Sequence, residues 1–297
     1  MEKDKRPALG GQLLILLAGC FWGSMGLFVR RLGALGFSSR QVACLRLTVG
    51  ALVFVLLLLI LDRKALKIRL RDLPLFLGLG LLSVLFFTFC YFRAIELMPL
   101  ATAAILLYTS PIWVTLMAAL VFHEPLTARK LLALGLAFLG CVLVSGLSGG
   151  SLTLYGLLVG LGAGVGYALY SILGTVALRR YPPLTVTTWT FLFAALGSWF
   201  LCSPVSLLSA MRAAPAGTLV WLIPGTAVLT AVIPYLAYTK GLQSTEAGRA
   251  AILATVEPVV ATLLGTLVFH ERLGLASVCG ILLVLAAIVL LNVGEKR

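Results

Sequence analysis

The chain is a succession of long apolar runs, with charged residues gathered at the joints between them. Ten runs can be marked, at 11–29, 39–61, 73–92, 100–122, 127–145, 154–176, 184–202, 218–242, 248–269 and 274–292. Each is apolar all round and lacks the alternation of period two that a strand of a membrane barrel needs. A helix closes its own backbone hydrogen bonds and crosses the hydrocarbon core with about 20 apolar residues. The pattern therefore predicts an all-α membrane protein of ten transmembrane helices. The longest gaps, 62–73 and 203–218, are too short for a water-soluble domain. An enzyme with an extramembrane catalytic domain is excluded, and one with its site inside the bilayer is left. The first run follows a charged start (Glu2, Lys3, Asp4, Lys5, Arg6). It is longer than a signal core and shows no small-residue cleavage site, so it reads as a span.

The runs repeat. Ala-Ala-Ile-Leu at 103–106 recurs at 250–253, Thr-Leu at 115–116 recurs at 262–263, and Leu-Val-Phe-His-Glu at 120–124 recurs at 267–271. All three share an offset of 147 residues, and 13 of 24 positions are identical between 103–126 and 250–273 without a gap. Shared hydrophobicity produces scattered leucine matches. It does not produce Pro111 with Pro258, or His-Glu twice, in one frame. Residues 1–147 and 148–297 thus read as two copies of one five-helix unit. An odd number of passes turns the second copy over. The result is an inverted repeat, an architecture whose substrate sites lie near the membrane midplane between the copies.

Composition supports the reading. The 297 residues are 61% hydrophobic and 11% charged, with mean hydropathy +1.10, whereas soluble domains are about a quarter charged. The net charge of +13 points to the positive-inside bias rather than to nucleic acid. With the N-terminus placed inside, sixteen Lys and Arg fall on the cytoplasmic side and six on the other, with Arg46 left inside a run. Both termini are therefore expected to be cytoplasmic. The six cysteines all lie in apolar runs without a CxxC pair, and read as small buried hydrophobes rather than disulfides or a zinc site.

Few residues carry candidate chemistry. Glu257 sits near the middle of the ninth run, a costly depth for a carboxylate unless it faces a cavity or a partner. Ala250, Ala254, Glu257 and Ala261 fall at i, i+4, i+7 and i+11, a stripe of small residues that leaves room in front of the carboxylate. Pro258 follows, so the Ala254 carbonyl loses its helical donor and is expected to face a polar cavity. The competing reading is a structural carboxylate bonded to a neighbouring helix. Arg46, within the second run, either snorkels to the interface or faces inward, where it binds a carboxylate or pairs with Glu257. Aromatic residues away from run ends are not explained by interfacial belts. Trp22, Tyr91, Tyr108, Trp189 and Tyr238 are read as cavity walls, with Tyr167, Tyr170 and Tyr235 in the same set. Packing is the alternative for each.

Pro111 and Pro258 are read as paired kinks that let the repeats bend, with Pro224 and Pro234 as further kink candidates. Gly156, Gly160, Gly162, Gly164 and Gly166 give small-xxx-small spacings, read as close helix packing or as a hinge. His123-Glu124 and His270-Glu271 end the fourth and ninth runs just before the next helix, where each carboxylate is expected to complement that helix's N-terminus. No nucleophile–base pair, phosphate loop or metal spacing is present, so no cofactor, catalysis or direct ATP coupling is expected.

Several of these motifs occur together in one family. They are Phe-Trp-Gly-Ser at 21–24, Leu-Arg-Leu at 45–47, Tyr91 with Arg93-Ala94 and Pro99, and Pro111 with the Phe-His-Glu end of the fourth run. Glu257-Pro258 and Phe269-His270-Glu271 repeat the last pattern. With the duplication, the chain resembles the ten-helix EamA branch of the drug/metabolite transporter superfamily. One departure is His where the family has a small residue or glycine before the terminal Glu, in both halves. The resemblance implies a plasma-membrane carrier working by alternating access, an exporter of amino acids or similar small metabolites. An exporter of hydrophobic cations or drugs, with Glu257 as counter-charge, is the alternative. An intramembrane enzyme or lipid-handling protein is a third. The expected partners are a small-molecule substrate and the lipid bilayer, without nucleic acid, in a monomer or homodimer. Arg46 and Glu257 both facing a cavity would favour a zwitterion, and Glu257 alone among aromatics a cation. The topology is tested by reporter fusions at Gly149 and Arg297, which five helices separate. They are expected on opposite sides of the membrane, and both on one side would overturn it.

Overall fold

A computed structural model describes residues 9–98, 100–145, 153–270 and 274–292. The elements among the described residues are all helical. Among the described residues, eight helices are long and apolar enough to cross a membrane. In chain order the elements are α1 (Leu9–Ala34), α2 (Ser39–Leu61), α3 (Leu70–Leu97) and α4 (Leu100–Leu107 with Ser110–Phe122). Next come α5 (Ala128–Ser145), α6 (Leu154–Leu178), α7 (Pro183–Ser198) and α8 (Pro204–Ala213). The last are α9 (Ala216–Gly241), α10 (Ala247–Phe269) and α11 (Leu275–Asn292). The shorter α7 and α11 occupy the seventh and tenth apolar runs.

The seventh run was expected to stay helical to residue 202. The helix ends at Ser198, whose hydroxyl donates to the Ala195 carbonyl. Ser203 and Pro204 then start α8, with the serine as N-cap and the proline in the first turn. Three of the threonines of α7 are satisfied within the helix. Thr187, Thr188 and Thr190 are fully buried, and each hydroxyl donates to a carbonyl one turn back. Large apolar side chains such as Leu120, Phe200 and Trp221 lie on the outside, which suits a lipid surround.

The 147-residue offset reappears in the backbone. α3 contains a π-helical segment, Gly78–Leu85, and α9 contains another, Val228–Val232. The two end at equivalent residues. α4 breaks after Leu107 and α10 breaks after Ala254, again equivalent positions. Both halves of the break are met by glycine. A Cβ on Gly164 of α6 would lie 3.0 Å from the Leu106 carbonyl, and one on Gly19 of α1 would lie 3.0 Å from the Ala254 carbonyl. Pro111 is the second residue after the first break, and Pro258 the third residue after the other. His123 and His270 end the two helices at φ 56° and 55°. A left-handed residue there is the usual helix terminator, and glycine adopts it without strain. The family's small residue and this chain's histidine thus occupy one conformational position.

α5 and α11 pack on each other through small residues. A Cβ on Gly140 would come within 2.7 Å of Val284 Cγ2 and 2.8 Å of the Gly280 carbonyl, whereas Gly135 on the same helix has open space. Gly140→Ala is expected to lower the melting temperature in detergent by several degrees, because overpacking costs roughly 1–3 kcal/mol. Gly135→Ala should leave it unchanged. Equal melting temperatures would show that this crossing is not tight.

Candidate functional site

A cavity of about 330 Å³ lies between the two halves of the bundle. Its wall includes Trp22 and Arg30 of α1, Arg46 of α2, Tyr91 and Ile95 of α3, Tyr108 of α4, Tyr167 of α6, Tyr235 of α9, and Glu257 and Phe269 of α10. It reaches the end of the bundle that carries Ser39, Ile95 and Phe269. Two apolar-run charges of opposite sign, Arg46 and Glu257, therefore share one chamber with aromatic walls.

Arg46 is buried at 5% exposure. Its Nε donates to the Thr230 hydroxyl at 3.0 Å, and its Nη2 donates to the Thr230 carbonyl at 2.7 Å. The guanidinium carbon also stands 5.8 Å from the Tyr235 ring centre, within cation–π range. The interface-snorkelling alternative does not describe this side chain. Glu257 is half-buried and makes no hydrogen bond among the described residues. Pro258 follows it, and Ala254 lines a small void with Tyr108, Thr255 and Glu257. The Ala254 carbonyl packs against α1 at Gly19, because that glycine lets the broken helix come close.

Trp22 forms the floor. Its ring centre is 5.3 Å from those of Tyr235 and Tyr238, and 5.9 Å from that of Tyr167. Tyr238 was expected in the wall and lies below it. It is 1% exposed, and its hydroxyl is 2.8 Å from that of Ser171. Tyr170 and Thr239 make a second buried hydroxyl pair at 2.6 Å. Trp189 also lies elsewhere. It sits near the start of α7, donates its indole N–H to the Leu66 carbonyl at 3.1 Å, and packs on Phe76 and Phe193. A loop carbonyl satisfies its one donor, so it serves the closed end rather than the cavity. Trp22, Tyr91, Tyr108, Arg46 and Glu257 line the chamber.

Beyond the floor the bundle is latched. Lys130 of α5 binds Glu124 at 2.7 Å and Glu246 at 3.2 Å, with Lys130 and Glu124 side chains 6% and 9% exposed. Glu124 accepts from the amides of Ala247 at 2.8 Å and Gly248 at 3.2 Å, the first turn of α10. The expectation that Glu124 complements α5 is thus corrected. Thr127 already caps that helix through the Lys130 amide, and the left-handed His123 turns the chain so that the carboxylate reaches the other repeat. Glu271 of the second His-Glu pair lies outside the described residues. A second clasp joins Arg180 and Tyr181, past the end of α6, to the buried Asp72 carboxylate.

Among the described residues no group of three or more His, Cys, Asp and Glu side chains stands close enough to hold a metal ion. Sequence reasoning missed Thr230 and read Pro234 only as a kink candidate. Pro234 has no amide to offer the carbonyl four residues back, which is Thr230, and that carbonyl accepts from Arg46. The same spacing rule had been applied to Pro258 alone.

A duplicated helical membrane bundle, with one polar-lined chamber between the copies, is the architecture of a membrane carrier. Residues 9–146 and 154–293 each match the EamA-like transporter family, and the chain belongs to that family within the drug/metabolite transporter superfamily. A protein of Archaeoglobus fulgidus named an uncharacterized transporter is 30% identical over 283 residues, covering 94% of this chain and 95% of that one. The Bacillus subtilis uncharacterized transporter YyaM is 26% identical over 241 residues, or 75% of each chain. A solved crystal structure shares the fold at TM-score 0.78 and 20% identity, covering 95% of this chain and 96% of that chain.

The latch gives a prediction. Breaking a buried ion pair typically costs about 3 kcal/mol. Glu124→Gln and Lys130→Met should each lower the melting temperature in detergent. The double variant should lose less than the sum, because both changes remove one interaction. Additive losses would mean that Glu124 and Lys130 are uncoupled.

Proposed function

We propose that the chain is a secondary transporter that exports amino acids or similar small zwitterionic metabolites across the cell membrane by alternating access. The carrying observation is the chamber in which Arg46 and Glu257 both face the same space between aromatic walls. A zwitterion offers a carboxylate to the guanidinium and an ammonium to the carboxylate, and its apolar part lies on Trp22, Tyr91 and Tyr108. With both termini cytoplasmic, the mouth beside Ser39, Ile95 and Phe269 opens outward and the Glu124 latch closes the inside. The paired breaks before Pro111 and Pro258 then serve as the bending points. One observation favours a second reading. Arg46 already has two donors on Thr230, while Glu257 has no hydrogen bond among the described residues. That imbalance suits an organic cation, for which Glu257 alone supplies the counter-charge.

Proteoliposome assays with an amino-acid panel and the matching decarboxylated amines, with and without a pH gradient, separate the readings. Glu257→Gln keeps shape and removes charge. It is expected to insert normally, with transport lost or no longer dependent on pH. Arg46→Lys keeps the charge and loses the planar fork, so amino-acid transport should fall while amine transport persists. Wild-type rates in the Gln variant at every pH would leave Glu257 a structural residue. Unchanged amino-acid transport by the Lys variant would favour the cation reading.

A further inference from the structure

We propose that Thr230 is a positioning residue for cargo selection: with Pro234 it clamps one edge of Arg46 and leaves the other edge to read a two-oxygen anion. The inference rests on the proposed role of Arg46 and adds how that role is fixed. It starts from the backbone. Thr230 lies in the π-helical segment of α9, and Pro234 stands four residues after it. Proline carries no amide hydrogen, so the Thr230 carbonyl has no helical donor from that position. Arg46 donates to that carbonyl through Nη2, and the Thr230 hydroxyl accepts from Nε. That hydroxyl itself donates to the Thr226 carbonyl at 2.6 Å, so its lone pairs are turned to the guanidinium.

The consequence is geometric. A guanidinium has five N–H donors in a planar fork. Thr230 uses one on Nε and one on Nη2, which together form the side-on edge. The end-on edge, made by Nη1 and the second N–H of Nη2, is not used by Thr230. Tyr235 lies with its ring centre 5.8 Å from the guanidinium carbon, and its hydroxyl also interacts with the guanidinium. A carboxylate entering the chamber therefore meets two parallel donors at fixed orientation, the arrangement that recognises planar anions bidentately. The clamp belongs to one repeat only. At the 147-residue offset, Arg46, Thr230 and Pro234 correspond to Phe193, Ser83 and Phe87. The Ser83 hydroxyl is buried and has no partner. The chamber accordingly has one anion-reading pole, and its mirror position is apolar.

The test compares phenylalanine with phenethylamine, which lacks the carboxylate, as competing probes in proteoliposomes. Thr230→Val keeps the shape and removes the hydroxyl acceptor. Thr230→Ser keeps the hydroxyl. Pro234→Ala restores an amide that competes for the Thr230 carbonyl. The Val and Ala variants are expected to raise the phenylalanine KM about tenfold, the size of one lost charge-assisted hydrogen bond. The phenethylamine KM and the maximal rate should be unchanged, and the Ser variant should behave as wild type. An unchanged phenylalanine KM in Thr230→Val, when Arg46→Lys does raise it, overturns the clamp and spares the role of Arg46. Equal rises for both probes make Thr230 merely structural and also overturn it. A wild type that does not distinguish the probes, or Arg46→Lys without effect on either, overturns the cargo reading on which the clamp depends.

Discussion

Inside hydrocarbon, every backbone carbonyl that loses its helical donor must find another. That constraint organises this molecule. The chain interrupts its helices at π segments, at the breaks before Pro111 and Pro258, and at Pro234. Each interruption is then answered by a specific neighbour. Glycines of α1 and α6 let helices approach the broken ends. Thr109 and Thr255 turn their hydroxyls back onto carbonyls at 2.6 Å beside the two breaks. At Thr230 the answer is a charged side chain from α2.

The two ends of the chamber differ in kind. Toward one end Arg30 stacks on Phe269, and the exposed Arg40 and Arg93 both pair with Glu96. Toward the other, Trp22 rests on Tyr235 and Tyr238, hydroxyl pairs lie beneath them, and ion pairs join the repeats. The buried Lys130 cluster is held by amides of α10 as well as by carboxylates, so no charge there lacks a partner. Buried ion pairs of this sort add little net stability but penalise half-broken states. A closed end built this way opens as a unit or stays shut.

Much of this was legible in the residues. Thirteen identities at one offset announced the duplication, and the backbone repeats it in the π segments, the breaks and the left-handed histidines. Glu257 and Arg46 were visible because a charge in an apolar run has few fates. Trp189 was misread because distance from a run end does not show which loop folds against that end. The helix begins at Pro183, which leaves the indole within reach of the Leu66 loop. Glu124 was misassigned because capping was sought in the following helix, and a left-handed residue changes the direction of the chain. Thr230 left no mark of its own. Its role needs a proline four residues on and an arginine 184 positions away, and only the second distance is invisible in a local reading.

The π segments carry a historical consequence. A π turn accommodates a surplus residue within a helix, and Leu85 and Val232 close the two segments at the same place in each copy. The surplus residue was therefore present in the ancestral five-helix unit before it doubled. At the same offset Arg46 and Pro234 stand opposite Phe193 and Phe87, and Thr230 stands opposite Ser83. The doubled scaffold is thus symmetric in its helix interruptions and asymmetric in its charge, since Arg46 and Glu257 stand opposite Phe193 and Ser110.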